Sequence, residues 1–279
     1  MSKVLDILLA GHVTHDVLGD HHVLGGAVSY GSILASKLGH KTSVLTSYSG
    51  DFAYQETLAS HHIVIEQIKS IETTVFDNKR RDTDEVQLLI SRADDIVVRA
   101  EYANKFDLII FGPLTDEIIV PEINLIASTK AGIIQGWLRA CHTPGPITFK
   151  QPDISILEGL DIIICSQVEL AQLSDQIRSF LLNEKHTVIT DGKSGASVYY
   201  NGKEFSLPAL TTKALDTTGA GDIFGTTYCI SFMEDKDILS SLAKANVAAG
   251  LSIQGIGINA IPDKATIEEL FQLYKKDYL

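Results

Sequence analysis

The sequence has little of several features that would define its class. Of 279 residues only three are cysteine and one is tryptophan, and no apolar run approaches the ~18 residues needed to span a membrane. Cys141, Cys165 and Cys229 are widely spaced and form no CxxC pair, which favours unpaired thiols in a reducing compartment. The short apolar run near the amino terminus is more typical of a buried first strand than of a signal peptide. We therefore expect a cytoplasmic protein with no membrane partner.

Positive charge is also scarce. The chain has 23 Lys and Arg against 35 Asp and Glu, a formal net charge of −12. An acidic surface argues against nucleic acid or an anionic membrane as the main partner. It does not exclude ATP, because a local group of backbone N–H donors binds phosphate within a negative protein. The histidines at 12, 15, 21 and 22 match no zinc spacing and have no cysteine nearby, which disfavours a metal site there.

What the sequence does contain is an alternation of buried strands and helices. Strands separated by helical segments of about a dozen residues indicate βαβ units and a parallel sheet. Residues 11–16 are expected to form a loop, and residues 73–78 and 86–90 a hairpin around a charged turn. The expected strands are 4–10, 42–47, 63–68, 106–112, 132–135, 162–165, 187–190 and 197–200, and the expected helices 27–38, 54–62, 121–129, 157–161, 168–182, 237–251 and 264–276. No repeat or linker interrupts the chain, so a single domain over 1–279 is predicted.

One stretch organises the rest: residues 216–222, Asp-Thr-Thr-Gly-Ala-Gly-Asp. The apolar residues that follow at helical spacing indicate a loop that opens into a helix. Glycines turn backbone N–H groups toward one point, and the positive end of the helix dipole lies there too, which suits phosphate. A carboxylate at Asp222 would repel phosphate, so its presence suggests that it removes a proton from an attacking hydroxyl.

Two other interpretations of this stretch stay open. It could be a helix cap whose glycines serve packing. It could also imitate a dinucleotide fingerprint, with glycines at 219, 221 and 225, and so belong to an oxidoreductase. The segment that follows has a helical rather than a strand pattern, which ranks the dinucleotide interpretation low.

The stretch resembles the Asp-Thr-x-Gly-Ala-Gly-Asp signature of the ribokinase-like, or PfkB, sugar kinases, and every fixed position is met. The resemblance implies a three-layer α/β/α ribokinase-like fold with a mostly parallel central sheet and a small β lid. It implies transfer of the γ-phosphoryl group of ATP to a hydroxyl of a sugar or polyol. Asp222 would be the catalytic base, and Gly219, Ala220 and Gly221 the anion hole.

The same resemblance assigns an acceptor site near the amino terminus. Asp16, Gly25 and Gly26 match positions at which the family touches substrate hydroxyls, and Ser29 or Tyr30 stands where an asparagine is common. The lid would be formed by about 12–26 and 70–98, with an ordinary surface hairpin as the alternative. The polar centre of that hairpin, 77–85, disfavours a large apolar contact, so a monomer or homodimer is expected.

Further residues would bind the phosphoryl donor and its ions. Glu169 matches the family's metal motif, in which it orients Mg²⁺ through water, and Ser166 replaces the motif's asparagine. Arg139 is the one residue kept from an Asp-x-Asn-x-Arg pattern; it would hold the moving phosphoryl group or form a surface salt bridge. The remaining assignments are a nucleotide loop or plain turn at Thr190, Gly192 and Gly195, adenine contact at Asn246, and a possible monovalent cation such as K⁺ at Asp216 and Thr218.

The substrate is left open between inositol or another polyol, a furanose sugar and a nucleoside. The run Gly-Gly-Ala-Val-Ser-Tyr at 25–30 is similar to the inositol kinase branch. The departures at Ser166, Gln135 and Trp137 give weight to a different class, a non-catalytic nucleotide or sugar sensor on the same fold. An intact Asp222 argues for catalysis, because a pure binder has no use for a base there.

Overall fold

The structure is a computed structural model that describes residues 3–81 and 84–279. The strands are β1 (Asp6–Ala10), β2 (Thr14–Leu18), β3 (His21–Gly25), β4 (Lys41–Tyr48), β5 (Val64–Lys69), β6 (Thr74–Arg81), β7 (Asp84–Ser91), β8 (Ile96–Val97), β9 (Leu108–Phe111), β10 (Ile118–Ile119), β11 (Thr129–Ile133), β12 (Arg139–Ala140), β13 (Gly145–Pro146), β14 (Thr148–Phe149), β15 (Ile162–Ser166), β16 (His186–Thr190), β17 (Ala196–Tyr200) and β18 (Lys203–Leu207). The helices are α1 (Ala27–Lys37), α2 (Gln55–Ser60), α3 (Ala100–Ala103), α4 (Ile154–Gly159), α5 (Gln167–Gln172), α6 (Asp175–Glu184), α7 (Ala220–Asp235), α8 (Ile238–Ser252) and α9 (Lys264–Tyr278).

The central sheet has the order β18-β17-β16-β15-β11-β9-β1-β4-β5. From β16 to β5 neighbouring strands are parallel, and β17 and β18 add an antiparallel edge. Such a sheet buries both faces under crossover helices, which explains why strands like β1 are almost wholly apolar. The expected mostly parallel sheet is confirmed.

Helices cover the sheet on both faces, and β1 shows how the side chains divide. Ile7 and Leu9 belong to one buried cluster with residues of α1, α7, α8 and α9. Leu8 and Ala10 belong to a second cluster with residues of α3, α4, α5 and α6. Alternate residues of a strand point to opposite faces, so these clusters are the two cores of a three-layer α/β/α architecture.

A second sheet of order β13-β7-β6-β2-β3 stands beside the central one. Its strands come from the two segments predicted for the lid, with β13 at Gly145–Pro146 as a contribution that the sequence did not indicate. A small core of Ala27, Phe76, Leu89 and Leu114 joins it to the start of α1 and the end of β9. The predicted hairpin of β6 and β7 is present, and residues 82 and 83 of its charged turn lie outside the described residues.

Two expected helices were wrong in part. Residues 121–129 form only a 3-10 turn at Ile123–Leu125, because the side chain of Asn104 bonds the backbone of Leu125 and Ala127 and replaces helical hydrogen bonds. The helix expected at 168–182 is divided into α5 and α6. Ser174 caps the second part by accepting a hydrogen bond from the Ile177 N–H.

Residues 11–16 are likewise not all loop. The chain enters β2 at Thr14, because a hairpin with β3 and a parallel pairing with β6 satisfy its backbone. Strand β18 was not expected either, and it closes the edge of the central sheet beside β17. Across the described ranges, no helix has both the length and the apolarity required to cross a lipid bilayer.

Candidate active site

A cavity of about 260 Å³ opens where three parallel strands end and α7 begins. Strands β11, β15 and β16 finish at this edge, the edge at which open α/β sheets bind ligands. The lining residues are Ile133, Gln135, Ile164, Cys165, Ser166, Glu169, Thr190, Thr217, Gly219, Gly221 and Asp222. The cavity therefore brings together Ser166, Glu169, Thr190, Gly219, Gly221 and Asp222 from the sequence-predicted site.

Gly219 shapes the start of α7. Its φ of 75° lies in the left-handed region, and it is the residue that precedes the first helical residue, Ala220. A Cβ built there would lie 2.4 Å from Cδ1 of Tyr30, so the tyrosine ring packs directly on the glycine. The first turn of any helix leaves N–H groups without intrahelical partners, and here that turn borders the cavity. The arrangement suits an anion beside Gly219 and Gly221.

Asp222 lies in the first turn of α7 and is only partly accessible. Burial raises the pKa of its carboxyl to about 7, and Glu169 and Asp16 add to the rise while Arg139 opposes it. A carboxylate with a pKa near neutrality is matched to taking up a proton at the pH of a cell. The side chain has the position and the basicity that a general base needs.

Arg139 lies within electrostatic reach of this carboxylate. Its Nη1 donates to the Leu114 carbonyl at 3.1 Å, and burial lowers its pKa, against the opposing charges of Cys141, Glu169, Glu117 and Asp222. A guanidinium remains protonated despite such a shift. Within the described parts of the chain it forms no ion pair within 4.0 Å, so the surface salt bridge considered above is not seen there.

Ser166 and Glu169 form a reciprocal cap on α5. The Ser166 hydroxyl accepts from the Glu169 N–H at 3.2 Å, and Glu169 Oε2 accepts from the Ser166 N–H at 2.7 Å. This capping box fixes the glutamate at the cavity wall. Serine in place of the family's asparagine thus retains a polar side chain at the end of β15.

Asp16 occupies the second sheet beside this cavity. Its Oδ1 accepts from the Thr14 hydroxyl at 2.8 Å. Burial raises the pKa of Asp16, and the hydrogen bond from Thr14 and the charge of Arg139 oppose the rise. A Cβ at Gly25 would lie 2.5 Å from the Asp16 carboxyl, so only glycine leaves room for this side chain. Gly26, with φ of 95°, lies against the His12 carbonyl in the same way.

Ser29 and Tyr30 are neighbours on α1, at the place where the resemblance leads one to expect an asparagine. The structure gives the two residues different roles. Ser29 is fully buried, and its hydroxyl donates to the Gly25 carbonyl at 2.7 Å. Burial raises the pKa of the Tyr30 phenol, and Asp16, Asp216 and Asp222 all raise it further. Tyr30 therefore stays protonated between Asp16 and the glycine loop, whereas Ser29 holds the backbone of the glycine pair.

The other predicted nucleotide contacts lie outside the cavity lining. Gly192 is exposed in the turn after β16, and Gly195 lets the chain approach β18, since a Cβ there would lie 2.1 Å from the Leu207 carbonyl oxygen. Asn246 is buried on α8, and its amide nitrogen donates to the Pro208 carbonyl at 3.0 Å. Thr190 alone of these residues borders the cavity.

Asp216 ties the glycine loop to the segment after α8. Its Oδ1 accepts from the Thr218 N–H at 2.9 Å and its Oδ2 from the Gly257 N–H at 3.0 Å. The two residues predicted to bind a cation, Asp216 and Thr218, are thus close together, and Asp216 connects the two loops by hydrogen bonds.

No pattern in the sequence indicated the buried glutamate at position 117. Glu117 accepts hydrogen bonds from the N–H groups of His12, Leu114 and Thr115 at 2.7 to 3.1 Å. Burial acts to raise its pKa, but His12 and these donors hold the pKa below its usual value. His12, in turn, contacts the Thr74 hydroxyl through Nδ1 at 2.8 Å, so the carboxylate anchors the crossing from β1 into β2.

The carboxylates at the cavity also test whether Mg²⁺ fits. Within the described ranges, no three or more His, Cys, Asp or Glu side chains form a group able to hold a metal ion. Mg²⁺ commonly binds through one or two carboxylates together with substrate phosphates and water. Glu169 and Asp222 line one cavity, so the residues present fit a magnesium ion that arrives with phosphates.

Comparison with known proteins finds a family pattern over part of the chain. The pattern of the pfkB family carbohydrate kinases matches residues 138–265. A ribokinase of Bacillus subtilis is 39% identical over 83 residues, 29% of this chain and 28% of that protein. Inositol 3-kinase of Arabidopsis thaliana is 24% identical over 271 residues, 90% of this chain and 74% of that protein. A ribokinase of Lactococcus lactis is 27% identical over 124 residues, so the matches to these two bacterial ribokinases span 28% and 40% of their lengths.

Solved structures with the same fold cover almost the whole chain. A pyrophosphate-dependent kinase of the ribokinase family, complexed with a pyrophosphate analogue and myo-inositol, aligns with a TM-score of 0.79 and 23% identity over 95% of this chain and 99% of that one. Arabidopsis thaliana ribokinase, complexed with ribose and ATP, aligns with a TM-score of 0.76 and 16% identity over 97% and 99%. At these identities the likeness establishes the ribokinase-like fold. The chain thus has the ribokinase-like fold over almost its whole length, and it matches the pattern of the pfkB family carbohydrate kinases over residues 138–265, which include the signature at 216–222.

Proposed function

We propose that the protein transfers the terminal phosphoryl group of ATP to a hydroxyl of a small polyol or sugar. The proposal rests on Asp222. Its carboxyl has a pKa raised to about 7, and it lies next to the glycine turn at the start of α7. A base and an anion site in one cavity are what attack of a hydroxyl on a phosphoryl group requires.

In this reaction Asp222 takes the proton of the acceptor hydroxyl. The acceptor oxygen forms a bond to the γ-phosphorus, the bond from that phosphorus to the β,γ-bridging oxygen breaks, and ADP leaves. Backbone N–H groups at Gly219–Gly221 and the charge of Arg139 stabilise negative charge on the moving group. Magnesium, when bound, supplies further neutralisation of the phosphates, with Glu169 as the side chain that orients it. Asp16 holds the acceptor through its hydroxyls.

A polyol such as inositol is the acceptor that we favour. Inositol 3-kinase matches this chain over 90% of its length, and a structural neighbour was solved with myo-inositol. Asp16 with the neutral Tyr30 hydroxyl offers an acceptor and a donor of hydrogen bonds, which suits a compound made of hydroxyl groups. A furanose sugar or nucleoside is the competing acceptor class.

Pyrophosphate is the second candidate donor. The amide expected to contact adenine, Asn246, is already bonded to the Pro208 carbonyl, and a Cβ at Gly250 on the same helix would lie 2.7 Å from Cβ of Leu210. Protein side chains thus cover part of the surface predicted for the base. The neighbour solved with a pyrophosphate analogue shares this fold.

The test is a two-way panel with purified protein and Mg²⁺. ATP and pyrophosphate are the donors; inositols, pentoses, hexoses and nucleosides are the acceptors; product is followed by ³¹P NMR. We expect turnover of an inositol or another polyol with ATP. The Asp222→Asn variant, purified identically, controls for contaminating kinases.

Each outcome separates the alternatives. Turnover with pyrophosphate alone would replace ATP as the donor, and turnover of nucleosides alone would replace the acceptor class. Binding of donor and polyol by calorimetry, without turnover for any pair, would overturn the kinase proposal in favour of a sensor.

A further inference from the structure

A second cavity of about 260 Å³ opens at the edge of the central sheet opposite to the candidate active site. Strand β16 connects the two edges. Its first residue, His186, borders the second cavity, and its last residue, Thr190, borders the first. Four residue steps along a strand span about 13 Å, so the two cavities are separate sites. Nothing in the proposed function uses the second cavity.

His186 is the buried polar side chain of this cavity, with 6% of its surface exposed. Its ring lies 4.6 Å from the Tyr200 ring and 4.7 Å from the Phe232 ring between centroids. Its Nε2 lies 2.7 Å from the Tyr228 hydroxyl, and these contacts together set the orientation of the ring. Burial lowers the pKa of His186 to about 4, and Lys236 lowers it further. The imidazole is therefore neutral at the pH of a cell, and one of its two nitrogens carries a proton.

The hydrogen bond to Tyr228 decides which ring nitrogen carries that proton. Tyr228 is fully buried, and within the described residues its hydroxyl has no hydrogen-bond partner besides His186 Nε2. A buried hydroxyl that donates to nothing is costly, so Tyr228 donates and Nε2 accepts. The ring proton is thus on Nδ1, which is not fully enclosed and whose N–H has no acceptor in the described part of the chain. An oxygen of a bound molecule would satisfy this donor.

The wall of the cavity also carries charge of both signs. Lys185 supplies an ammonium group beside His186, and a backbone carbonyl uses one of its three N–H donors. Glu184 is the exposed last residue of α6, and across the described ranges it forms no ion pair within 4.0 Å. The carboxyl end of the helix dipole adds negative potential there. Asp161 lines the cavity too, but Lys130 Nζ lies 3.0 Å from its carboxylate and offsets its charge.

We propose that this second cavity binds a small zwitterion of the α-amino acid class. The carboxylate of the ligand accepts from His186 Nδ1 and from the Lys185 ammonium group, and its own ammonium group lies beside Glu184. The side chain of the ligand lies on Leu160 and the Tyr200 ring. A ligand with negative charge alone would be repelled by Glu184, and one with positive charge alone would leave the His186 donor unused. The proposal does not depend on the kinase function, because none of these residues borders the catalytic cavity.

The experiment titrates the full chain with L-leucine and L-phenylalanine by calorimetry. L-Leucinamide lacks the carboxylate and N-acetyl-L-leucine lacks the ammonium group, so these two probes separate a zwitterion site from a cation site and from an anion site. We expect both analogues to bind ~10-fold or more weakly than L-leucine, the value of one charge-assisted hydrogen bond. An analogue that binds as tightly as L-leucine would overturn the zwitterion assignment. Absence of binding for every standard amino acid at millimolar concentration would overturn the site.

Two variants locate the ligand within the cavity. His186→Gln removes the Nδ1 donor and retains an amide oxygen that can accept from Tyr228, and we expect ~10- to 100-fold weaker binding of L-leucine. Glu184→Gln changes an exposed residue that folding does not need, and we expect ~2- to 5-fold weaker binding. Glu269→Gln, which removes an exposed carboxylate on α9, is the matched control for Glu184→Gln. Unchanged affinity in Glu184→Gln, or an equal loss in Glu269→Gln, would overturn the placement of the ammonium group.

The catalytic cavity supplies the last control. Asp222→Asn alters that cavity and should bind L-leucine as the wild type does, whether or not the protein is a kinase. The same holds for wild-type protein saturated with the magnesium complex of ATP or of pyrophosphate. Loss of L-leucine binding in either case would place the amino acid in the catalytic cavity and overturn the proposal.

Discussion

The two halves of the site are built in different ways. The half that we propose for the donor consists of residues 216–222 with Ser166 and Glu169, two short runs whose members are neighbours in the chain. The half that we propose for the acceptor consists of Asp16 with the face of the second sheet on which it lies, and these residues come together only through strand register. In a contiguous motif the local backbone conformation sets the geometry of the reacting groups. On a face assembled from several strands, single residues can be replaced without disturbing those groups. The donor half should therefore control rate and the acceptor half selectivity.

The largest effect should come from Asp222→Asn. Removing a general base lowers kcat by about 10²- to 10⁴-fold, and donor affinity should change little. In the wild type, kcat/KM should rise with pH through about 7, because the carboxylate form is the base. Steady-state rates from pH 5 to 9 test both points, and near-normal turnover in the variant would contradict the assignment.

The same variant should be more stable than the wild type at alkaline pH. A folded-state pKa raised to about 7 means that folded protein binds the Asp222 proton more tightly than unfolded protein. Wild-type stability is therefore lost as pH rises from about 4 to 7, and the asparagine escapes this loss. We expect an advantage of about 1–3 kcal/mol at pH 8 that shrinks toward pH 4, measured by urea unfolding.

The two glycines of the anion turn should respond oppositely to alanine. Gly219→Ala forces a Cβ into the Tyr30 ring at a left-handed φ of 75°, so we expect a loss of roughly 2 kcal/mol or more and a lower Tm. A Cβ at Gly221 meets nothing within 4 Å, and alanine in the first turn of α7 should leave stability equal or up to ~1 kcal/mol higher.

Activity should fall in both glycine variants, and in Gly221→Ala it should fall without a loss of stability. The methyl group at 221 enters the cavity and displaces the phosphoryl group, which we expect to cost about 10-fold or more in kcat. A Gly221→Ala protein that is stable and fully active would show that the first turn of α7 does not contact the donor.

Arg139 links the halves, since burial raises the pKa of both Asp16 and Asp222 and the charge of Arg139 opposes both rises. Arg139→Gln should therefore move the acidic limb of the pH–rate profile upward by about 1 unit. It should also reduce the limiting kcat about 10-fold or more, because one positive charge at the moving phosphoryl group is lost. A lower kcat with an unmoved limb would place the guanidinium away from the base.

The sequence predicted the locally built part of the site better than the part that is assembled from distant segments. Six predicted residues line one cavity because strand ends and a helix start position them locally. The sequence could not indicate that Glu117 anchors the second sheet, since its partners are backbone groups of His12 and Leu114, far apart in the chain. Nor could it assign Ser29 to the Gly25 carbonyl rather than to a substrate.

The secondary-structure predictions also succeeded where local sequence decides the structure and failed where distant contacts do. The buried parallel strands were foreseen because continuous apolar runs specify them. The helix expected at 121–129 failed because Asn104, from another segment, takes the backbone hydrogen bonds of that stretch. Long-range side-chain contacts of this kind leave no periodic trace in the sequence.

The smallest effect should come from Ser166, which tests whether this position serves the fold or the donor. Ser166→Ala removes the hydroxyl that accepts from the Glu169 N–H, and we expect a loss of about 0.5–2 kcal/mol from the missing cap. Ser166→Asn is the control, because asparagine caps a helix as well as serine does. It should restore stability and leave kcat within about 2-fold.

The donor KM then decides between the two roles. Glu169 Oε2 accepts from the Ser166 backbone N–H, a bond that alanine keeps, so the glutamate should remain at the cavity wall in both variants. If the serine acts only as a cap, the KM for the magnesium–donor complex rises no more than a few-fold in Ser166→Ala and recovers in Ser166→Asn. If the donor KM stays raised in the stable asparagine variant, the hydroxyl contacts the donor directly, and the donor half is tuned residue by residue as the acceptor half is.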